Sequence, residues 1–459
     1  MREVFLSTGF YASTQRSISP LNVMNHIRNH FDLLRIINYI HNMNNYNSSP
    51  EIYYERWITQ ALREAVQNHP VVVLTGARQV GKSTLLLTAE PFRSWRYRTL
   101  DAYDVLDQAK REPESLWGGT DRIILDEVQK APDLLQAVKM AVDQKPGKYR
   151  FVLSGSANLL LMHRVSESLA GRAVYFVLDP MCMGEIHRLP PPDILPRLLA
   201  GHFPEEGALS EEPEDPLHLI MRGFLPPLLT LSKPESWVRW WEGYVATYLE
   251  RDLRQVSQID ALLDFRRMME LLALRSGQLL NQSEIARDAG LTQPTVHRYL
   301  NVLETTYLFE RLRPYMKSRT TRILKSPKIF FNDPGLAIFL SGFYTPEDLQ
   351  KAKEYGSFFE TFVYHHLRVQ ARLMNPSGRV FFWRTRSGIE VDFIIQHGRR
   401  IVAVEVKNTK NPGFHDAAGL RSFLDEHGEA EAGILVHRGR EIIRLSEKIV
   451  ALPFSLLTG

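Results

Sequence analysis

The sequence predicts an α/β chain of successive units, and three local patterns carry that reading. The apolar run Val71-Val72-Val73-Leu74 feeds a glycine-rich loop, and Leu85-Leu86-Leu87 follows, which reads as strand, loop and helix. Two short helical patterns flank a glycine turn between Ser283 and Leu300. From about residue 350 the order is helix, three strands, helix, strand. The expected organisation is an atypical extension over 1–50, a first α/β core over 51–180, a helical lid and connection over 181–270, a helix-turn-helix unit over 271–345 and a second α/β domain over 346–459.

Bulk composition excludes several classes. At 459 residues the length suits about three domains, and 44% hydrophobic with 24% charged residues is ordinary for globular protein. A net charge of +4 gives no global basic character, so any argument for nucleic acid must be local. The lone Cys182 leaves no internal disulfide and no cysteine-based zinc site, which fits a reducing cytoplasm. No apolar run approaches the ~20 residues of a membrane helix, and no signal peptide is evident, so no membrane partner is expected. Residues 1–50 stand apart, with eight Asn and only Glu3 and Asp32 as acids. They read as a poorly ordered extension, or as sequence upstream of a true start at Met43. A targeting peptide is the weaker alternative.

The first loop is Gly76-Ala77-Arg78-Gln79-Val80-Gly81-Lys82-Ser83-Thr84, a complete G-x-x-x-x-G-K-[ST] pattern. Glycines let backbone N–H groups wrap phosphate oxygens, and the following helix adds its dipole. Lys82 is expected on the β- and γ-phosphates of ATP, with the Ser83 hydroxyl on Mg²⁺. Arg122-Ile123-Ile124-Leu125-Asp126-Glu127 reads as an apolar strand ending in two carboxylates. Asp126 would hold the Mg²⁺ shell and Glu127 would orient the attacking water. A further strand from Arg150 ends in Ser154-Gly155-Ser156-Ala157-Asn158. Ser156 or Asn158 is a candidate γ-phosphate sensor, with ordinary loop chemistry as the alternative.

Residues 190–216, rich in Pro, Glu and Asp, read as a surface connection. Trp237, Trp240, Trp241, Tyr244, Tyr248, Leu249 and Leu253 recur at helical spacing and are expected to be core. In the helix-turn-helix pattern Thr292 caps the second helix and Pro294 sits in its first turn. Its polar face carries Gln293, Thr295, His297 and Arg298, suited to DNA or to a protein partner. Residues 311–328 add Arg311, Arg313, Lys317, Arg319, Arg322, Lys325 and Lys328 without one acid. Such a basic stripe favours DNA phosphates.

The last unit offers a second chemistry. Asp392 lies in one strand, and Glu405-Val406-Lys407 ends the next, with Glu405 and Lys407 on one face by period two. Asp392 and Glu405 can share a divalent metal, Lys407 can activate a water, and Glu360 on the preceding helix can complete the site. The alternative is a metal-free core in which Lys407 neutralises both carboxylates.

From about Ile52 to the C-terminus the chain resembles prokaryotic AAA-type (AAA+) ATPases fused through a winged-helix segment to a C-terminal PD-(D/E)XK restriction-endonuclease-like domain. The loop Gly76–Thr84 and Asp126-Glu127 match the nucleotide motifs. Ser168-Leu169-Ala170-Gly171-Arg172 resembles the segment after the sensor strand. Trp383-Arg384-Thr385, Gly388, Glu390-Val391-Asp392-Phe393, Glu405-Val406-Lys407 and the helix acid Glu360 match the nuclease-like domain. The resemblance implies a homo-oligomer, a hexamer in the first place, with Arg172 as arginine finger and Arg164 second. It implies an ATP-driven machine acting on DNA, with branched or junction DNA a plausible substrate class. The rival expectations are a non-nucleolytic ATP switch or regulator and a chaperone-like ATPase with protein clients.

Overall fold

The computed structural model describes residues 53–156, 169–247, 261–316 and 326–458. Its first sheet contains β1 (Val71–Thr75), β2 (Arg96–Thr99), β3 (Arg122–Asp126), β4 (Arg150–Ser154) and β5 (Ala173–Val177), in the order β2-β3-β4-β1-β5. All four pairings are parallel. Every residue of β1 is buried, as the uninterrupted apolar run requires of a central strand covered on both faces. Helices α1 (Thr59–Asn68), α2 (Lys82–Thr88), α3 (Tyr103–Arg111) and α4 (Leu134–Gln144) alternate with these strands. Leu134, Leu135 and Val138 of α4 join Val71, Val73, Leu125 and Leu153 in one core. Because the strands are parallel, the residues after β1, β3 and β4 meet at one carboxyl edge.

The expected surface connection is more integrated than its composition suggests. Ile194–Leu199 is helical with Leu195 and Leu198 fully buried, and β6 (Gly207–Ala208) joins the edge of a later sheet. Next come α5 (Pro216–Arg222) and α6 (Pro234–Tyr244). Trp237, Trp240, Trp241 and Tyr244 of α6 are buried core, with Trp240 stacked on Tyr244 at 5.3 Å between centroids. Tyr248, Leu249 and Leu253 lie outside the described residues.

In the middle unit α7 (Leu262–Ala273) precedes α8 (Gln282–Ala289) and α9 (Gln293–Thr305). The Asn281 side chain caps α8, Gly290 turns the chain at φ 69°, and Thr292 caps α9. Ile285, Ala289, Val296 and Leu300 are buried between the helices. An antiparallel hairpin follows, β7 (Phe309–Leu312) with β8 (Lys328–Phe331).

The chain then forms α10 (Pro334–Leu340), α11 (Tyr355–Leu373), β9 (Arg379–Arg384), β10 (Glu390–His397), β11 (Arg400–Val406), α12 (Ala418–Glu426), β12 (Ala432–His437), β13 (Glu441–Ser446) and β14 (Ile449–Pro453). The second sheet runs β6-β13-β14-β12-β11-β10-β9. β9, β10 and β11 form an antiparallel meander, and α12 crosses over to place β12 parallel to β11. Helix α11 is buried on nearly all sides because it lies between units. Phe224 stacks on its Phe362, while Asp179, just after β5, receives Arg372 at 2.6 Å and Arg368 at 3.2 Å. Burial alone would raise Asp179, but the two guanidinium groups outweigh it and hold the carboxyl below its ordinary range.

Candidate functional site

The carboxyl edge of the first sheet gathers the nucleotide motifs. The loop between β1 and α2 turns through Gly76 at φ 149° and Gly81 at φ 93°, angles that side chains resist. A Cβ at Gly76 would also collide with the Leu178 carbonyl. Ala77 and Val80 are buried, whereas Arg78, Gln79 and Thr84 are exposed. Lys82 is buried, and its Nζ folds back onto the carbonyls of Gly76 and Ala77 at 3.0 and 2.9 Å. Burial lowers its pKa to about 8, against the partial opposition of Glu127 and Asp126. A desolvated ammonium resting on loop carbonyls suits an incoming polyphosphate.

Asp126 ends β3 and, among the described residues, accepts four donors. Ser83 Oγ donates to Oδ2 at 2.7 Å, and the Tyr97 hydroxyl donates to the same oxygen. Ser154 Oγ donates to Oδ1 at 2.6 Å, as does the Glu127 N–H at 3.0 Å. Ser83 and Asp126 thus lie together, as a shared Mg²⁺ shell requires. Glu127 follows in the left-handed region at φ 56°. Burial and then the neighbouring Asp126 raise its pKa, which favours a carboxylate held for basic work. Gln129 donates from Nε2 to Glu127 and to Ser156 Oγ, the latter at 2.9 Å, so it links the water-orienting candidate to the sensor candidate. Asn158 lies outside the described residues.

Three supports at this edge escape sequence reasoning. Tyr97 sits on the polar edge strand β2, which has no apolar signature. Gln129 follows the carboxylates without a motif of its own. Arg56 donates to the Val80 carbonyl at 2.8 Å and the Asp179 carbonyl at 2.7 Å while pairing with Glu185, bracing the loop from behind.

The second acidic centre lies across α11, β10 and β11. Asp392 and Glu405 are neighbours on antiparallel strands, and the Val406 N–H donates to Asp392 at 2.8 Å. Lys407 Nζ meets Glu405 at 2.6 Å. Glu360 of α11 joins them, and so does Glu390, which shares the Asp392 face by period two. Burial, then the proximity of Asp392, raises the pKa of both Glu360 and Glu405.

Lys328 requires a correction. It was expected on the DNA-contacting stripe, yet it is 2% exposed and its Nζ is buried among Glu360, Glu390 and Asp392. Burial works against its charge, but the three carboxylates outweigh burial and hold its pKa well above the usual lysine value. Arg311 is likewise committed, to Glu304 at 2.9 Å and Asn301 at 2.8 Å. Lys317, Arg319, Arg322 and Lys325 lie outside the described residues, while Arg313 is exposed. On α9, Gln293, His297 and Arg298 are exposed and Thr295 is half-buried. Arg172 precedes β5, at the edge of the sheet opposite its own phosphate loop, and pairs with Asp143. Arg164 lies outside the described residues.

Cys182, His365 and His366 also converge, all buried. Their nitrogens are already committed. His365 Nε2 meets the Met181 carbonyl at 3.0 Å and its Nδ1 faces Arg368 at 3.2 Å. His366 Nδ1 meets the Phe362 carbonyl at 2.9 Å and Nε2 accepts from the Met183 N–H at 3.1 Å. Burial lowers both imidazoles, so this is a neutral packing hub.

Strand order and loop chemistry define an ATPase-like domain of the AAA type, and the profile described as AAA domain matches residues 68–187. Two further profiles match, a domain of unknown function (DUF8612) over residues 214–347 and a domain of unknown function (DUF4143) over 355–457. Two relatives, the uncharacterized proteins Rv2008c of Mycobacterium tuberculosis and Mb2031c of Mycobacterium bovis, are each 32% identical over 394 residues, covering 85% of this chain and 82% of theirs. The chain belongs to the family of these mycobacterial proteins. Solved structures with partial likeness include a Walker-type ATPase of Pyrococcus abyssi, at 16% identity and TM-score 0.39, covering 64% of this chain and 97% of that one. A STAND signal-transduction ATPase with a tetratricopeptide repeat sensor, from Pyrococcus horikoshii, is 12% identical with TM-score 0.22, covering 70% and 46%. At these TM-scores the strand order and loop geometry, not the likeness, carry the fold. Among the described residues no helix is long and apolar enough to cross a membrane.

Proposed function

We propose that this protein is an ATP-hydrolysing, DNA-directed AAA+ machine whose C-terminal domain carries a Mg²⁺-dependent, nuclease-like centre. The observation that carries the reading is the assembly of Lys82, Ser83, Asp126 and Glu127 at one sheet edge, with Lys82 desolvated and, among the described residues, only these two acids favouring its charge. The loop 76–84 would hold the phosphates of ATP, with Ser83 and Asp126 toward Mg²⁺. Bound there, the nucleotide supplies the labile anhydride. Glu127, braced by Gln129, orients the attacking water, and Ser156 reports on the same region. Arg172 would act only on a neighbouring subunit of a homo-oligomer, a hexamer by resemblance, after leaving Asp143.

The DNA-directed part rests on the exposed Gln293, His297 and Arg298 of α9, with Thr295 beside them. Branched DNA is the substrate class that the nuclease-like resemblance suggests. A second reading, a non-nucleolytic ATP-dependent regulator, is favoured by Lys328 seated among the carboxylates of the second centre.

The test is an assay of purified protein on duplex, single-stranded and four-way-junction DNA, with and without ATP and Mg²⁺. DNA-stimulated ATP hydrolysis with Mg²⁺-dependent cutting supports the first reading. Stimulation without cutting by any form supports the second. An ATPase rate indifferent to every DNA sinks the first reading and leaves a regulator of protein partners or a chaperone-like ATPase with protein clients.

A further inference from the structure

The centre in the C-terminal domain holds more carboxylate than its own lysine balances. Glu360, Glu390, Asp392 and Glu405 converge there, while Lys407 reaches Glu405. Arg384 of β9 holds Glu390 Oε2 at 2.9 Å, and a further cation comes from a different unit. Lys328 is the first residue of β8, and its Nζ lies 3.1 Å from Glu360, 3.4 Å from Asp392 and closer still to Glu390. Gly277 makes room, since a Cβ there would stand 3.2 Å from Glu360 Oε2. One acceptor remains unmatched: Glu405 Oε2 is buried with no hydrogen-bond partner among the described residues.

Carboxylates from two elements converging on one buried positive atom form the geometry of a cation site, here filled by a tethered cation. We propose that the Lys328 ammonium stands where a divalent metal would bind, so that the centre is closed with the lysine seated and admits Mg²⁺ or Mn²⁺ only when it withdraws. This rests on the metal-dependent reading of the centre and adds its regulation. The exclusion is electrostatic, because an ammonium and a divalent ion cannot share one set of carboxylates within about 3–4 Å of each other without strong repulsion. Exchange is also coupled, because lysine leaving alone would strand buried carboxylates without a counter-ion. Lys328 sits on a four-residue strand paired with β7. Just before β7, the Tyr307 hydroxyl lies 2.9 Å from Oγ1 of Thr75, the residue that leads into the phosphate loop. The hairpin that carries the lysine therefore has its root at the nucleotide centre.

The experiment uses the full chain without nucleotide. Mn²⁺ uptake is followed by electron paramagnetic resonance, and thermal melting is run with and without Mn²⁺. Three proteins are compared: wild type, Lys328→Met and the Lys328→Met/Asp392→Asn double variant. If the lysine-withdrawn state is populated at about one-tenth or less, Lys328→Met should bind Mn²⁺ about tenfold tighter or more than wild type. Its melting temperature should fall without metal and recover with Mn²⁺, and the double variant should lose both responses. A Lys328→Met protein that does not fold even in Mn²⁺ overturns the proposal. So does one that folds but binds Mn²⁺ no better than wild type, and so does a double variant that keeps the uptake. DNA cleavage is scored separately. Uptake by Lys328→Met without cutting of any DNA retains the lysine exchange and discards the nuclease reading. Wild-type cutting at the rate of the variant retains the nuclease and discards the exchange.

Discussion

The nucleotide centre and the C-terminal centre are built from the same parts, clustered acids and a buried lysine, yet their electrostatics run in opposite directions. Lys82 comes from the loop beside its own acids and rests on neutral carbonyls, and its pKa falls to about 8. Lys328 comes from another unit, contacts three carboxylates, and its pKa rises. The first centre is a cation prepared for an anion. The second is a set of anions already met by a cation. Residue type does not decide which; the partners within about 4 Å do.

The comparison breaks most visibly at catalysis. Lys82→Ala should abolish hydrolysis and strongly weaken ATP binding, and Glu127→Gln should keep ATP while slowing hydrolysis by roughly 10²–10⁴-fold. Single-turnover hydrolysis beside nucleotide binding measures both. A normal rate in Glu127→Gln would remove the water-orienting role. A smaller effect comes from pH. With a pKa near 8 in the absence of ligand, Lys82 is already charged at about pH 7, so ATP binding should take up few protons through it. Above about pH 8 the neutral amine must gain a proton to meet the phosphates. Affinity should then fall and uptake approach one proton, read by calorimetry in two buffers of different ionisation enthalpy. Smallest is the interface. Arg298→Ala should flatten the slope of log DNA affinity against log salt by about 0.9, one phosphate contact. An unchanged slope would assign α9 to protein contact.

Much of this was legible beforehand. The strands β1, β3, β4 and β9 to β12 follow from apolar runs and period two, and the loop 76–84 with Asp126-Glu127 follows from motif chemistry. Glu360, Asp392, Glu405 and Lys407 do come together. What stayed hidden has physical reasons. β2 is a polar edge strand, so Tyr97 gave no signal. Gln129 bridges two side chains and Arg56 holds backbone carbonyls far along the chain, contacts that have no sequence signature. Glu390 was readable, two residues before Asp392 on the same face. Lys328 was not, because it lies 32 residues from Glu360 and 64 from Asp392, and a charge run looks alike whether its members face solvent or a buried acid.

The direct test of the opposed electrostatics is denaturant unfolding of Lys82→Met and Lys328→Met beside wild type, near pH 7 without nucleotide or metal. Lys82 has a folded pKa below its unfolded value, so its charge opposes folding below about pH 8, a penalty that fades toward 10.5. Lys328 has a folded value above its unfolded one, so its charge favours folding throughout the range below the ordinary lysine pKa. Lys328→Met should therefore lose about 3–5 kcal/mol, the cost of stranding buried carboxylates. Lys82→Met should lose nothing or gain slightly. Equal losses in the two variants, or a larger loss at Lys82, would contradict the account.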